Sequence, residues 1–221
     1  MNLKKYLFVF SFFIIFTSYS QVSQINLNSN PYWEGEIEMA DGTMINGYVK
    51  ISKHTGIRKV YFKKTLSGEK EFVKRKKVKS VHITSPNGKE YLFELIPVNY
   101  SLKLQATISR PLILVEGKNE YVTFYIASGN YEVDKKTNEI ILVYRYNPSI
   151  DFPTTYRFIR KRGVKTANIF YMSGDIAGYK KPIRYHLTED PELIEKVENG
   201  ELGKKNFPEI ISLYLKTTEG M

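Results

Sequence analysis

The fold is decided by residues 34–51, EGEIEMADGTMINGYVKI, in which two extended runs flank a tight turn. The pair Asp41-Gly42 supplies the positive-φ geometry of a short hairpin turn. On the second arm, one face collects the aliphatic residues Ile45, Val49 and Ile51. Such alternation is typical of a half-buried strand. The stretch therefore predicts an antiparallel hairpin with arms at 34–39 and 43–51.

The same pattern recurs along the chain. Turns are indicated at Pro86-Asn87-Gly88-Lys89, at Gly117-Lys118-Asn119 and at 135–138, because Gly and Asn tolerate left-handed backbone. Further strands are predicted at 57–64, 79–84, 90–96, 111–116, 121–126, 131–134 and 139–146. We therefore expect a mainly β domain over 33–187, built as an antiparallel, hairpin-rich open sheet, a sandwich or a partly closed barrel.

In the segment 188–221 the spacing of apolar residues changes from that of strands to that of helices. Asp190 precedes Pro191 as an N-cap precedes a favoured first helical residue, and Gly200 ends the pattern. Asn206 precedes a second helical stripe: Phe207, Ile210, Ile211, Tyr214 and Leu215. We expect two short helices packed on the β domain. The alternative is a tail that binds a partner through its apolar stripe.

The first twenty residues have the pattern of a cleavable signal peptide. Lys4 and Lys5 precede an apolar run over 6–16, which is shorter than the 17 or more residues of a typical membrane-spanning helix. Ser18 and Ser20 then occupy the small-residue positions of a cleavage site. We expect cleavage after Ser20, a flexible segment over 21–32, and an exported protein that is periplasmic, at the outer surface or extracellular.

The amino-acid composition excludes several kinds of functional site. The 221-residue chain has 42% hydrophobic and 25% charged residues, as in an ordinary folded domain, and a net charge of +10, which favours anionic partners. It contains no cysteine. This excludes disulfides, cysteine-ligated zinc, iron–sulfur clusters and a thiol nucleophile.

The order of several short motifs resembles a known family. These are Gly35-Glu36-Ile37, Asp41-Gly42, Gly47-Tyr48-Val49, Leu114-Val115-Glu116-Gly117-Lys118 and Asp190-Pro191-Glu192-Leu193-Ile194. Together they are similar to a widespread family of uncharacterised secreted proteins of Bacteroidota-type bacteria. The resemblance spans most of the chain after residue 20, and it implies export but no known activity, so it transfers no functional residues.

Two basic clusters are the candidate binding residues. The first contains Lys74, Arg75, Lys76, Lys77 and Lys79, and the second contains Arg157, Arg160, Lys161 and Arg162. In the second cluster, Tyr156 and Phe158 alternate with Arg160 and Arg162, as in nucleic-acid platforms. Such runs also occur as solvated faces or as lysine-protected strand edges. If functional, they would contact an anionic glycan, lipid headgroups or extracellular nucleic acid.

No catalytic, cofactor or metal signature is present in the sequence. Its histidines, His54, His82 and His186, lack metal-ligand spacing, and nucleophile-elbow, phosphate-loop and calcium-loop motifs are missing. We therefore expect no catalytic, cofactor-binding or metal-binding residues and no cofactor. The leading hypothesis is a non-enzymatic envelope or extracellular interaction or structural module whose partner is an envelope protein. The alternative is a secreted polyanion binder, and a hydrolase with scattered catalytic residues is a third possibility.

Overall fold

The computed structural model describes residues 30–53, 55–100, 108–128, 130–143, 155–172 and 178–221. In order, the strands are β1 (Tyr32–Met39), β2 (Met44–Lys50), β3 (Lys59–Lys63), β4 (Glu71–Lys74), β5 (Val78–Thr84), β6 (Glu90–Leu95), β7 (Val98–Asn99), β8 (Ile108–Ser109), β9 (Leu112–Lys118), β10 (Val122–Ala127), β11 (Asn130–Asp134), β12 (Glu139–Val143), β13 (Tyr156–Lys161) and β14 (Ala167–Met172). The α-helices are α1 (Lys180–His186), α2 (Pro191–Glu198) and α3 (Phe207–Thr217). Short 3₁₀ turns span Arg75–Lys77 and Lys204–Asn206.

Twelve of the strands form one open sheet, in the order β4-β3-β2-β1-β5-β6-β9-β10-β13-β14-β7-β8, and β11 and β12 form a separate ribbon. All described pairings are antiparallel except β14 with β7, so the large sheet is mixed. The architecture is sandwich-like and is not closed into a barrel. The predicted mainly β class with C-terminal helices is confirmed.

The predicted hairpin turns form for local reasons. Gly42 has a φ of 87° and Gly88 a φ of 82°, the left-handed region that glycine adopts without a steric penalty. In the first turn the Thr43 backbone N–H donates to Asp41 Oδ1 at 3.0 Å. These contacts lie within a few residues of each other, which is why the sequence alone predicts β1–β2 and β5–β6.

The first half of the sheet consists of β4, β3, β2, β1, β5 and β6, and it is covered on one face only. The second half, from β9 onwards in sheet order, is covered on both faces. Beneath the first half, a core that includes Ile37 and Phe93 is closed by the β11–β12 ribbon with the fully buried Tyr131. Beneath the second half, the helices pack against strand residues such as Phe124. The helix residues buried there are Phe207, Ile210, Ile211 and Tyr214. A third cluster, on the other face, contains Phe158. The helices therefore pack on the sheet.

The helical segment agrees with the prediction in part. Asp190 caps α2, because its Oδ1 accepts from the Leu193 backbone N–H at 2.9 Å. Asn206 makes no such bond to α3. Its side chain instead accepts from the Gly203 N–H and donates to Glu209. In addition, α1 lies inside the range predicted to be strands.

Four strands were not predicted from the sequence: β4, β14 and the two-residue strands β7 and β8. Strand β4 is only four residues long and is followed directly by basic residues, so the sequence shows too little alternation of apolar and polar residues to predict a strand there. Among the described helices, none is long and apolar enough to cross a membrane.

Several predictions fall on parts of the chain that the structure does not describe. These are the signal peptide with its cleavage site, most of the segment 21–32, His54, and the end of the predicted strand 139–146 beyond residue 143. They stay predictions from the sequence.

Candidate functional site

One face of the first half of the sheet is open to solvent. On β3, Val60 and Phe62 point into the core, so Lys59, Tyr61 and Lys63 point the opposite way. The same alternation applies across β4, β3, β2, β1, β5 and β6. We call this outward side of the six strands the open face.

Lysines and aromatic rings interleave at the β4 end of the open face. We call this part the lysine–aromatic face, and its members are Tyr32, Lys50, Lys59, Tyr61, Lys63, Lys70, Phe72 and Lys74. The rings of Tyr61 and Phe72 sit directly across from each other with centroids 6.2 Å apart. The Lys59 ammonium lies 3.8 Å from the Phe72 centroid, and that of Lys70 lies 4.0 Å from the Tyr61 centroid. These are cation–π distances, which hold the ammonium groups close to the sheet.

The charge of the lysine–aromatic face is not neutralised locally. Within the described part of the chain, none of its lysines has a carboxylate oxygen within 4.0 Å. Lys59 lies directly opposite Lys74. Partial burial, followed by repulsion from Lys70 and Lys53, lowers the pKa of Lys50. This surface therefore concentrates positive charge that repels itself.

Next to it the open face becomes a polar trough of about 810 Å³ across β1, β5, β6 and β9. Most of its charges are paired. Glu94 accepts from Tyr125 Oη at 2.7 Å and from Arg160 Nη2 at 2.8 Å. Burial, and secondarily the bond to Glu94, raises the pKa of Tyr125, which keeps its hydroxyl protonated as a donor. Glu38 pairs with Lys79 at 2.6 Å.

His82 lies between two other glutamates of the trough. Its Nδ1 is 3.9 Å from Glu36 Oε1, and its Nε2 is 3.6 Å from Glu90 Oε2. Neither carboxylate has a lysine or arginine within 4.0 Å among the described residues, and the same holds for Glu34 on β1. Negative charge is therefore left unbalanced on β1 and β6.

The first predicted cluster does not lie on one strand. Lys74 ends the terminal strand β4, Lys76 and Lys77 lie in the 3₁₀ turn that leads to β5, and Lys79 lies on β5, where it pairs with Glu38. All four lysines are exposed. Arg75 is turned inward, with Nη1 donating to the Thr55 carbonyl at 2.9 Å. Of this cluster, Lys74 alone lies where the lysine-protected edge of the alternative interpretation would place it. Only Lys74 of the cluster belongs to the lysine–aromatic face.

The second predicted cluster is paired with carboxylates. Arg157 binds Glu116 through two nitrogens, Arg160 binds Glu94, and Lys161 binds Glu189 at 2.7 Å. Arg162 is exposed. The predicted aromatic platform is not presented to solvent here, because Phe158 is fully buried in the core. From the two predicted clusters the structure brings together only Lys79 and Arg160, which both line the polar trough and are each paired with a glutamate.

Glu189 is the centre of a polar latch between β13 and α3. Its carboxylate accepts from Lys161 at 2.7 Å and from the hydroxyls of Tyr121 and Tyr214, both at 2.5 Å. Burial by itself would raise the pKa of Glu189, but these donors outweigh it and lower the pKa to about 2. The charge of Lys161 is therefore neutralised by Glu189, and the ion pair stabilises the packing of the helical segment.

Most residues of the lysine–aromatic face were not among the candidate binding residues predicted from the sequence. A signal for it exists in residues 59–63, KVYFK, where Lys59, Tyr61 and Lys63 recur at the period of a strand. The sequence does not show that Lys70 and Phe72 lie beside these residues, because their proximity depends on the pairing of β3 with β4.

Within the described residues there is no group of three or more His, Cys, Asp or Glu side chains placed to hold a metal ion. Comparison of the chain with protein-family models, with curated proteins and with solved structures gives no match. The surface chemistry itself is therefore the basis for a functional proposal.

Proposed function

We propose that this protein is an exported, non-enzymatic interaction module that binds an anionic polymer through its lysine–aromatic face. The observation that carries the proposal is the set of lysines without carboxylate partners, Lys50, Lys59, Lys63, Lys70 and Lys74. An isolated strand pair gains nothing from like charges placed opposite each other. An anionic partner would turn that repulsion into attraction.

Geometry supports a polymer as the partner. The ammonium groups are distributed over β2, β3 and β4, and neighbouring strands lie about 4.8 Å apart, so the cations form an extended array. Repeated phosphate, sulfate or carboxylate groups match such an array. The aromatic rings between the lysines can contact the apolar parts of the same polymer, as rings do in single-strand binding surfaces.

The site proposed here differs from the second predicted cluster. Arg157, Arg160 and Lys161 already have carboxylate partners, so binding there would require breaking an ion pair. The lysines of the lysine–aromatic face carry no such cost. Lys76 and Lys77 add positive potential from the 3₁₀ turn between β4 and β5, and their role in binding is secondary.

The proposal is tested by salt titration of binding to polyphosphate, a sulfated glycan, single-stranded DNA and anionic vesicles, which separates the possible sources of the anionic groups. The test variant is Lys59→Gln/Lys63→Gln/Lys74→Gln. Its matched control, Lys181→Gln/Lys205→Gln/Lys216→Gln, removes the same charge from exposed lysines of the helical segment.

For at least one ligand, the test variant should flatten the slope of log K against log salt by about 2 to 3, because each lost contact removes about 0.7 to 0.9. The control should change the slope by less than about 1. Equal effects of the two variants, or binding that is insensitive to salt in every arm, would overturn the proposal.

A further inference from the structure

We infer that the open face is also a self-association surface, on which a second copy of this chain docks face to face about a two-fold axis along β2. This inference does not rest on the proposed function, since a second copy needs no polymer.

The open face carries charges of both signs that lack lysine, arginine or carboxylate partners. Four lysines without carboxylate partners, Lys59, Lys63, Lys70 and Lys74, lie on or next to β3 and β4, on one side of β2. The glutamates without a lysine or arginine partner, Glu34, Glu36 and Glu90, lie on β1 and β6, on the other side. The two halves are of opposite sign. Within the described chain, these lysines have no carboxylate within 4.0 Å, and these glutamates have no lysine or arginine within 4.0 Å; His82 is the basic side chain that lies near Glu36 and Glu90.

The strand register places several of these charges in one row across the sheet. Lys63 pairs with Tyr48, Tyr48 with Glu34, Glu34 with Thr84, and Thr84 with Glu90. The row therefore runs from a cation on β3, through a tyrosine on β2, to anions on β1 and β6.

A two-fold axis converts this asymmetry into complementarity. In a symmetric dimer each patch meets the patch related to it by the axis. Rotation about an axis that runs along β2 lays β3 of one copy over β1 of the other, while positions along the strands are kept. The backbone position of Lys63 in each copy then lies over Glu34 of the other copy, twice per dimer. Within one copy, the Lys63 ammonium lies 5.2 Å from the Tyr32 centroid and donates to the Leu66 carbonyl, so it would turn towards Glu34 of the partner on docking. Lys70, one strand farther out, approaches the side of the partner that carries Glu90.

The side chains at the axis suit an interface centre. Met44 is 45% exposed, and Tyr48 lies half-buried on the outward side of β2. Neither carries a charge, so neither meets its own symmetry mate with repulsion. Lys50, at the end of β2, leans off the axis towards Tyr32 on β1, with its ammonium 5.6 Å from the ring centroid. Aromatic residues and methionine are the types enriched in protein interfaces.

The size of the face indicates a weak dimer. About an axis along β2, five strands of each copy overlap, from β4 to β5 in sheet order, because β6 lies beyond the last strand of the partner. With strands about 4.8 Å apart and about six residues long, the overlap covers about 20 by 20 Å, so the two faces together bury about 800 Å², the size of a weak and transient contact. We therefore expect a reversible dimer that forms at low salt and dissociates as salt screens its ion pairs.

A charge-swap experiment tests the inference. One variant is Lys63→Glu/Lys70→Glu, and the other is Glu34→Lys/Glu90→Lys. Sedimentation velocity at about 0.01 M salt measures association, and circular dichroism confirms that each variant is folded. The matched control, Lys205→Glu/Lys216→Glu, places the same charge change on the helical segment.

The wild type and the control should dimerise. Each swapped variant alone should dissociate at least tenfold more readily, because like charges now face each other. An equimolar mixture of the two should recover association, since both symmetric contact sets become attractive again. A wild type that stays monomeric up to about 1 mM, or a mixture that associates no better than its components, would overturn the inference.

The two proposals can fail separately. Glu34→Lys/Glu90→Lys should lose self-association but bind the anionic polymer at least as tightly as the wild type. If polymer binds and no dimer is found, the proposed function stands and self-association is overturned. If the dimer forms and no polymer binds, self-association stands and the proposed function is overturned.

Discussion

Lys59 and Lys74 lie directly opposite each other on the antiparallel strands β3 and β4. The Arg75 backbone N–H donates to the Arg58 carbonyl at 2.9 Å, so the neighbouring Lys59/Lys74 pair is of the type without mutual hydrogen bonds. Side chains of such pairs are the closer of the two kinds, with Cα atoms about 4.5 Å apart. The repulsion between the two ammonium groups is therefore a built-in cost of this surface.

Replacing one of these lysines by a carboxylate should stabilise the fold. We expect Lys74→Glu to raise the free energy of unfolding by about 0.5 kcal/mol at low salt, because a repulsive cross-strand pair becomes attractive. Urea unfolding at low and high salt measures the change, and high salt should remove most of it. Lys76→Glu, in the adjoining 3₁₀ turn, is the control and should have a smaller effect. A loss of stability in Lys74→Glu would contradict the prediction.

The polar latch should make stability depend on pH. The folded-state pKa of Glu189, about 2, is below its ordinary value of 4.5, so the carboxylate contributes stability above pH 4.5 that is lost as the pH falls towards 2. We expect Glu189→Gln to lower the free energy of unfolding by about 2 kcal/mol at pH 7. The difference from wild type should shrink between pH 4.5 and 2, as followed by chemical unfolding at each pH.

The control for the latch is Glu192→Gln. Glu192 pairs with Lys196 one helical turn away and its side chain is 79% exposed, so its removal should cost less than about 0.5 kcal/mol. Equal effects of the two substitutions, or a difference for Glu189→Gln that does not change with pH, would show that the latch is not the source of the stability.

A close approach of β1 to β5 should make Gly35 irreplaceable. A Cβ atom there would lie 2.2 Å from the backbone carbonyl oxygen of His82, which cannot move without shifting the strand. We expect Gly35→Ala to cost about 3 kcal/mol, measured by thermal or urea unfolding. Gly42→Ala is the control, because no atom lies within 4 Å of its Cβ position and only its left-handed backbone adds a cost of about 1 kcal/mol. A Gly35→Ala variant as stable as the wild type would refute the strand spacing.

The helical segment should be part of the folded core and not an independent tail. Phe207 is buried between Phe170 and Tyr171, with ring centroids 5.7 Å and 4.2 Å away. We expect Phe207→Ala to lower the free energy of unfolding by about 4 kcal/mol, and Leu215→Ala, at a half-buried position, to cost less. An unchanged unfolding transition in Phe207→Ala would favour the partner-binding alternative.

Local features of the fold were predictable from the sequence. The turns at Asp41-Gly42 and Asn87-Gly88 and the cap at Asp190 each rest on contacts between residues no more than four positions apart. For the same reason, the periodic stripe of α3 predicts its buried face. These interactions depend on backbone geometry and side-chain chemistry that are visible in a short window of sequence.

The charge balance of each surface was decided only by the tertiary structure. Arg160 meets a glutamate 66 positions away in sequence, and Arg157 meets one 41 positions away. Lys59 and Lys74, in contrast, meet each other and no carboxylate within the described chain. Net charge and basic runs are sums along the chain, whereas neutralisation depends on which strands become neighbours. The sequence by itself therefore determined that the protein is basic and β-rich. The order of the strands decided which of its lysines and arginines have no carboxylate partner. The physical reason is that ion pairing acts over a few ångströms in space, irrespective of distance along the chain.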